Sequence, residues 1–579
     1  MSSQNPFQNS TQGPIEFLMK PAANRSETLL DALWLFFLIA ASSVWCVTAA
    51  HSLSATFDEP TYLQAGLDCW RGGTYKPLMR LGTMPLAIDV QTLPLYVWER
   101  MHGTRIDLVR DIDWILTWAR AGTLVFWGIL LVYVFRTAKS IAGSWAGRIA
   151  AALVAVEPAL LGHASLATTD IAAAAGILAF AFEFHAGRGL GWWRRLGLPS
   201  VLYGLAILAK ASALVFAPVA MIVIEFDRLL RSEGFAQTTG KALVERGKFL
   251  CGRLWEFRKD FFSVIGLGLL VTFLYCRSDW TTEPTFVKWA QGLKPGRSHD
   301  IMLWLSEHLR IFTNAGEGLA QQIKHNMRGH ATYILGQERR RAVWWYFPVA
   351  TTIKCSIPFL VLPLAIAAVR GRALRNWPCL VAGALFLYSV TCRVQLGIRF
   401  MFPLMALAAA GYGAAVVVAW RETEKPWKRK ALGVFVAAGI LYTGLASALV
   451  WPEALCYTNE FWGGTADGYK LLSDSNYDWG QGLKELVKWR EAHGVDAVDV
   501  WYFGDPRMDI SPLRKFPLHE PSFTQNKTMD ELMQGRCVAV STTMLYGSYF
   551  PDAGGAVRTF LKGRPPASRT TTYLIYDFR

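Results

Sequence analysis

Charge is scarce in this chain: only 18% of its 579 residues are Asp, Glu, Lys or Arg, against about a quarter in soluble domains. Familiar catalytic signatures are missing too. No Walker loop, GxSxG elbow or HExxH pair stands in a supporting context, which sets aside ATPase, serine hydrolase and zincin chemistry. The nine cysteines form no CxxC pair and no metal-ligand spacing. Most lie in or beside apolar runs, where Cys behaves as a small hydrophobe. Only Cys456 and Cys537 could pair outside a membrane, and the sequence leaves that open. There is no internal repeat, no RNA-binding or helix-turn-helix signature, and no cleavable signal pattern in residues 1–28. The first apolar run, 29–50, therefore reads as a retained anchor.

What the chain has instead is apolar length. Hydrophobic residues make up 52% of it, gathered into about eleven runs near the ~20 residues that a membrane span needs. They fall at 29–50, 117–136, 145–161, 169–187, 197–209, 211–226, 261–277, 345–369, 377–393, 399–420 and 431–451. The 59 basic against 44 acidic residues leave +15. In a soluble protein that balance would favour nucleic acid. Here the basic residues sit in short loops (Arg136/Lys139; Arg188/Arg194/Arg195; Arg370/Arg372/Arg375; Lys425/Lys428/Arg429/Lys430), so membrane orientation accounts for them and no nucleic-acid partner is expected.

Placing those loops in the cytoplasm requires two spans around Lys210, not one. It puts the 1–28 tail and a basic segment, 227–260, inside, the latter as one or two amphipathic helices on anionic lipid. Two long loops, 51–113 and 277–341, fall outside, rich in interfacial Trp and Tyr and suited to roofing a cavity. After residue 451 the apolar runs stop, leaving a domain-sized tail, 452–579. It is expected to carry a helix over 480–493 and strands over 496–503, 537–542 and 571–577. The fold class is a polytopic α-helical membrane protein, body 29–451, with a small C-terminal α/β domain on the outer side.

Carboxylates at a membrane boundary are costly and mark a task or a partner. Asp58 and Glu59, in Thr56-Phe57-Asp58-Glu59-Pro60, follow the first run. Asp170, in Thr168-Thr169-Asp170, opens another at the same expected outer face. Asp58 is suited to act as a base, or to cap the helix that Pro60 begins. Asp170 is open to the readings of helix N-cap or functional carboxylate, and His163 to those of ligand, proton carrier or satisfied interfacial residue. A divalent metal between Asp58, Asp170 and His163 is an option that the residue types leave open. Lys210, flanked by Ala and Leu, needs an anionic partner such as a lipid-linked phosphate, or a path to headgroups. Arg399 stands at the same face and can grip a phosphate bidentately; Arg339, Arg340 and Arg341 add charge there. In Asp474-Ser475-Asn476-Tyr477-Asp478-Trp479-Gly480-Gln481, Asp478 and Gln481 are spaced as a capping box. Asp474, Asn476 and Trp479 are left over and suit a sugar.

Together these segments resemble the GT-C superfamily of membrane glycosyltransferases, in particular the family 39-like bacterial branch related to protein O-mannosyltransferases and the aminoarabinose transferase of lipid A. The pieces that carry the resemblance include Phe57-Asp58-Glu59-Pro60-Thr61, the stretch ending in Thr-Thr-Asp170, and Ala209-Lys210-Ala211-Ser212-Ala213. Trp344-Trp345-Tyr346-Phe347-Pro348, Leu396-Gly397-Ile398-Arg399 and the 474–481 segment complete the set. The resemblance implies a polyprenyl-phosphate sugar donor, a protein, lipid or glycan acceptor reached from the outer side of a bacterial inner membrane, and inversion at the anomeric carbon. It implies Asp58 as general base, Glu59 shaping the site, Asp170 orienting acceptor or metal, and Lys210 and Arg399 holding the donor phosphate. The chain departs from the pattern at Gly82-Thr83-Met84-Pro85-Leu86, where relatives carry His-Pro-Pro, and at Phe400, where they often have His. A transporter or flippase of an anionic lipid and a non-catalytic scaffold are the competing classes.

Overall fold

The computed structural model describes residues 25–238, 243–310, 313–516, 527–547 and 555–579. Most of the expected N-terminal tail, and Lys241 of the basic segment, lie outside them. Helices α1 (Arg25–Ser52), α2 (Glu59–Gly72), α3 (Lys76–Arg80), α4 (Pro85–His102), α5 (Leu108–Ala142), α6 (Ser144–Ala155), α7 (Pro158–Ala164), α8 (Asp170–Gly187), α9 (Leu198–Ala209) and α10 (Ala213–Leu230) make the first half of the body. The second half holds α11 (Glu233–Ala236), α12 (Leu243–Cys276), α13 (Pro284–Gln291), α14 (Arg297–His308), α15 (Thr313–Arg328), α16 (Tyr346–Lys354), α17 (Ile357–Arg370), α18 (Trp377–Ser389), α19 (Phe402–Glu422) and α20 (Pro426–Leu449).

All eleven apolar runs are largely helical. Among the described residues seven helices are long and apolar enough to cross a membrane, or eight if α6 and α7, bent by 68° at Glu157-Pro158, form one span. The runs at 197–209, 211–226 and 377–393 are shorter or carry more charge. The run at 345–369 is broken in two: α16 ends at Lys354 and α17 restarts with Pro358 in its first turn, where a missing N–H costs nothing. The basic segment also differs from expectation. From Leu243 it is one continuous helix with the following span, because nothing between Lys259 and Phe261 breaks it and extending a helix is cheaper than nucleating another.

Alanine content sets the centre of the bundle. The spans of α8 and α19 are 83% and 89% buried, against 22% for α1, and a helix apolar all round belongs inside. Small side chains let backbones approach closely. A Cβ on Gly413 of α19 would lie 2.6 Å from Ala146 O of α6. At one end of the bundle the basic loops are tied together: Arg136 and Arg194 both reach Glu183, Arg188 joins Glu225 and Asp260, and Asp31 takes Lys139 and Arg148. Since α9 leaves this end and α10 returns to it, Lys210 between them lies at the opposite end, as the two-span reading requires.

The C-terminal domain caps that opposite end. Strands β3 (Asp499–Trp501), β4 (Arg514–Lys515), β5 (Cys537–Ser541), β6 (Ser568–Arg569) and β7 (Tyr573–Asp577) form a sheet in the order β4-β3-β5-β7-β6. Strand β3 is parallel to β4 and β5; β7 is antiparallel to β5 and β6. A preceding hairpin, β1 (Thr332–Ile334) with β2 (Gln337–Arg339), belongs to the second long loop, 277–341. Helix α21 (Leu483–Ala492) lays Leu486 on Val500, Ala539 and Ile575. The capping-box reading of Asp478 and Gln481 does not hold, because α21 starts later, with Gly482 at its cap. The Asp478 carboxylate instead accepts from the hydroxyls of Ser541 and Thr542 and the amides of Thr543 and Gly480, pinning 474–481 to the end of β5. Cys456 and Cys537 are both buried and unpaired with each other.

The loop between α1 and α2 is fixed from two sides. Ser54 N and Phe57 N donate to Gln481 O and Trp479 O, each at 2.8 Å. Below, Arg120 of α5 is 1% exposed and uses all five guanidinium N–H groups: on both Glu59 oxygens and on the carbonyls of Ala50, Leu53 and Ser54. Glu59 also accepts from Thr56 N, the Thr56 hydroxyl and Ala167 N. Breaking such a buried pair by removing one partner typically costs about 3–5 kcal/mol, because the other charge is stranded. Glu59→Ala should lower thermal stability in detergent by that order, whereas the apolar double replacement Glu59→Met with Arg120→Met should lose clearly less.

Candidate active site

Asp58 occupies the cap position of α2, yet its side chain makes no capping bond. Its Oδ2 accepts from the Tyr62 hydroxyl at 3.3 Å and from Arg399 Nη1 at 3.4 Å. Asp170 likewise begins α8 without a side-chain cap at Thr169. Its Oδ1 takes Lys210 Nζ at 2.5 Å, and its Oδ2 lies 4.0 Å from Arg399 Nη1. Lys210 therefore has a carboxylate partner and does not depend on headgroups. The chain is extended at Lys210, φ −162°, which ends α9 and turns this side chain toward α8.

Arg399 is shared between the two aspartates, and its surroundings hold it there. Gly397 before it has φ +122°, and a Cβ there would come within 2.8 Å of Ser475 Oγ and 2.9 Å of Asn476 Oδ1. Ile398 N donates to that same Asn476 Oδ1 at 2.9 Å. The Arg399 guanidinium lies 4.6 Å from the Trp479 ring centroid, a cation–π contact. Beneath Asn476, Lys354 is buried with its ammonium on the carbonyls of Leu455, Tyr457 and Asn476. Asn476 thus acts on the site by fixing the backbone beside Arg399.

These groups open on a cavity of about 520 Å³. Its floor holds Asp58, Tyr62, Lys210, Arg399, Asp474 and Trp479. Asp474 adopts φ +61° and ties its amide to Thr543 Oγ1. One wall is apolar, from Leu214, Val215 and Phe216 of α10, with Tyr388 and Phe400. Phe400 packs on Phe216 and Phe347, so an aromatic stack stands beside Arg399. Gly82, Thr83 and Met84 line the other side, below the roof helix α15.

Four expected site residues lie elsewhere: Asn476, already described beside Arg399, and the three that follow. Asp170 sits just under the floor, 1% exposed. His163 is behind it, Nδ1 3.9 Å from Asp170 Oδ2, with its ring edge-on to Phe402 and neither nitrogen hydrogen-bonded. The Glu59 carboxylate faces Arg120, away from the cavity. The metal option does not fit: Arg399 stands between the carboxylates, and among the described residues no group of three His, Cys, Asp or Glu is placed to hold a metal. Arg339, Arg340 and Arg341 are exposed and outside the cavity lining. Sequence reasoning missed Arg120 and Lys354, each a lone cation in an apolar stretch, and the cavity face of α15, visible only as the spacing Gln321, Lys324, His325, Arg328.

No family model matches the chain, and no curated protein matches it in sequence. Among solved structures it is similar to ArnT from Cupriavidus metallidurans bound to undecaprenyl phosphate, at 13% identity and TM-score 0.44, over 94% of this chain and 97% of that one. It is also similar to the archaeal oligosaccharyltransferase AglB from Archaeoglobus fulgidus, at 12% identity and TM-score 0.42, over 72% and 56%.

Burial raises the Asp58 carboxyl above its ordinary value; Arg399 pulls it down, and Asp474 and Asp170 push it up. A raised carboxyl is protonated, and so reactive toward carbodiimide, at higher pH than a free Asp near 4. Carbodiimide labelling of Asp58, followed by peptide mass spectrometry, should fall off with a midpoint above that value. Asp474→Asn should move the midpoint down, since it removes a repelling charge, and Arg399→Gln should move it up.

Proposed function

We propose that the chain is a membrane glycosyltransferase that moves a sugar from a polyprenyl-phosphate donor to an acceptor hydroxyl. The observation that carries this reading is Arg399, held between Asp58 and Asp170 at the floor of a cavity with one apolar wall. The reaction needs a base at the nucleophile, cations at a leaving phosphate, and an apolar surface for the lipid chain. The floor and wall offer all three within one hollow. The acceptor oxygen attacks the anomeric carbon as its proton passes to Asp58. The bond from that carbon to the phosphate oxygen breaks on the opposite side, which inverts the configuration. The polyprenyl phosphate leaves with its new charge facing Lys210 and Arg399. The large pKa difference between a hydroxyl and a carboxylate makes proton transfer late, concerted with the attack, and fixed cations stabilise the leaving charge without reorganisation.

The basic loops at the opposite end set the orientation in this proposal: they face the cytoplasm, and the cavity and C-terminal domain face outward from a bacterial inner membrane. The test is donor consumption and product formation by the purified protein with a panel of polyprenyl-phosphate sugars. Asp58→Asn should reduce transfer by about 10²-fold or more with unchanged protein abundance and donor binding. Transfer at near wild-type rate by that variant would remove Asp58 from the mechanism.

A further inference from the structure

The roof of the cavity has a charge arrangement that the proposed chemistry does not use. Along α15, Gln321, Lys324, His325 and Arg328 fall at i, i+3, i+4 and i+7, and all four line the cavity. Arg80, at the end of α3, lines the same side. Leu319 and Ile323 of the same helix share the lining, while Met327, beside Arg328, is outside it and 67% exposed. Among the described residues no carboxylate lies within salt-bridge distance of Arg80, Lys324 or Arg328, and the roof lining contains no acid. The floor differs, since Lys210 and Arg399 are both already paired with aspartates. The roof is also held in place: the Gln322 side chain donates to Gly82 O, and Gly318 packs against Met79 of α3.

We propose that this roof is a second anion site, facing the aqueous mouth of the cavity, which takes a phosphate ester carried by the acceptor at a point remote from its reacting hydroxyl. The assignment rests on the glycosyltransferase reading for the word acceptor, but the site itself is defined by the roof alone. Unpaired cations on a rigid helix face bind such a group by charge-assisted hydrogen bonds, so occupancy falls with ionic strength. The same chemistry is presented by an anionic lipid headgroup, and the experiment separates the two sources.

The full-length protein is placed in phosphatidylcholine nanodiscs, and binding of glucose 6-phosphate, glucose and undecaprenyl phosphate is measured by calorimetry. The wild type should bind glucose 6-phosphate in preference to glucose, with undecaprenyl phosphate already bound. The double variant Lys324→Gln with Arg328→Gln should weaken the sugar phosphate by about tenfold and leave undecaprenyl phosphate binding unchanged. Arg399→Gln should do the opposite. Unchanged sugar-phosphate binding in the roof variant, or mutual displacement of the two ligands, would overturn the second site. Loss of sugar-phosphate binding once phosphatidylglycerol is added to the nanodiscs would assign the roof to lipid and overturn the acceptor assignment. Failure of undecaprenyl phosphate alone to bind would count against the donor reading and leave the roof standing.

Discussion

The ion pair between Arg120 and Glu59 is the constraint on which the cavity depends. One guanidinium, buried in the first half of α5, closes onto the carbonyls of Ala50, Leu53 and Ser54 and the carboxylate of Glu59, on both sides of the loop that carries Asp58. The same carboxylate reaches across to Ala167 N, in the loop that carries Asp170. Two segments more than a hundred residues apart are therefore referenced to one side-chain pair. The low-dielectric surroundings make that pair costly to form and more costly to break, which suits a device for fixing position. Glu59 neighbours Asp58 in sequence, but the two carboxylates face different partners and serve different ends.

Much of the architecture was legible from apolar run length and loop charge. Lys210 is a clear case: the basic loops required a turn there, and the helices turn there, with Asp170 as the partner a stranded ammonium needs. The breaks were harder to place. Pro158 and Pro358 each divide a run that hydropathy alone joins, because proline interrupts hydrogen bonding without lowering hydrophobicity. The basic segment before α12 was read as a separate element on charge, where the backbone simply continues into the span.

At the site, residue type identified the charged groups but not their pairings. Asp58 and Asp170 both stand where a helix cap would be expected, and sequence alone cannot say whether a carboxylate turns back to its own amides or outward to Arg399. Asn476 was read as a sugar contact, yet its side chain is fully engaged with Ile398 N, Tyr346 and Ser473 O. The roof was anticipated only as a loop able to cover a cavity. Its cationic face emerges once α15 is seen against Gly82, a contact that spans 240 residues of chain.

The position of β7 has a bearing on when the protein becomes competent. Tyr573–Asp577 is an interior strand, paired on one side with β5 and on the other with β6, and the end of β5 anchors Asp478 and with it the floor residues Asp474 and Trp479. The bundle can insert into the bilayer helix by helix as it is synthesised, but the hollow lacks its fixed floor until β7, which follows every span in the chain, has docked beside β5. The floor is therefore the side of the hollow that is set after the spans, by a strand pairing made far along the chain from Asp58.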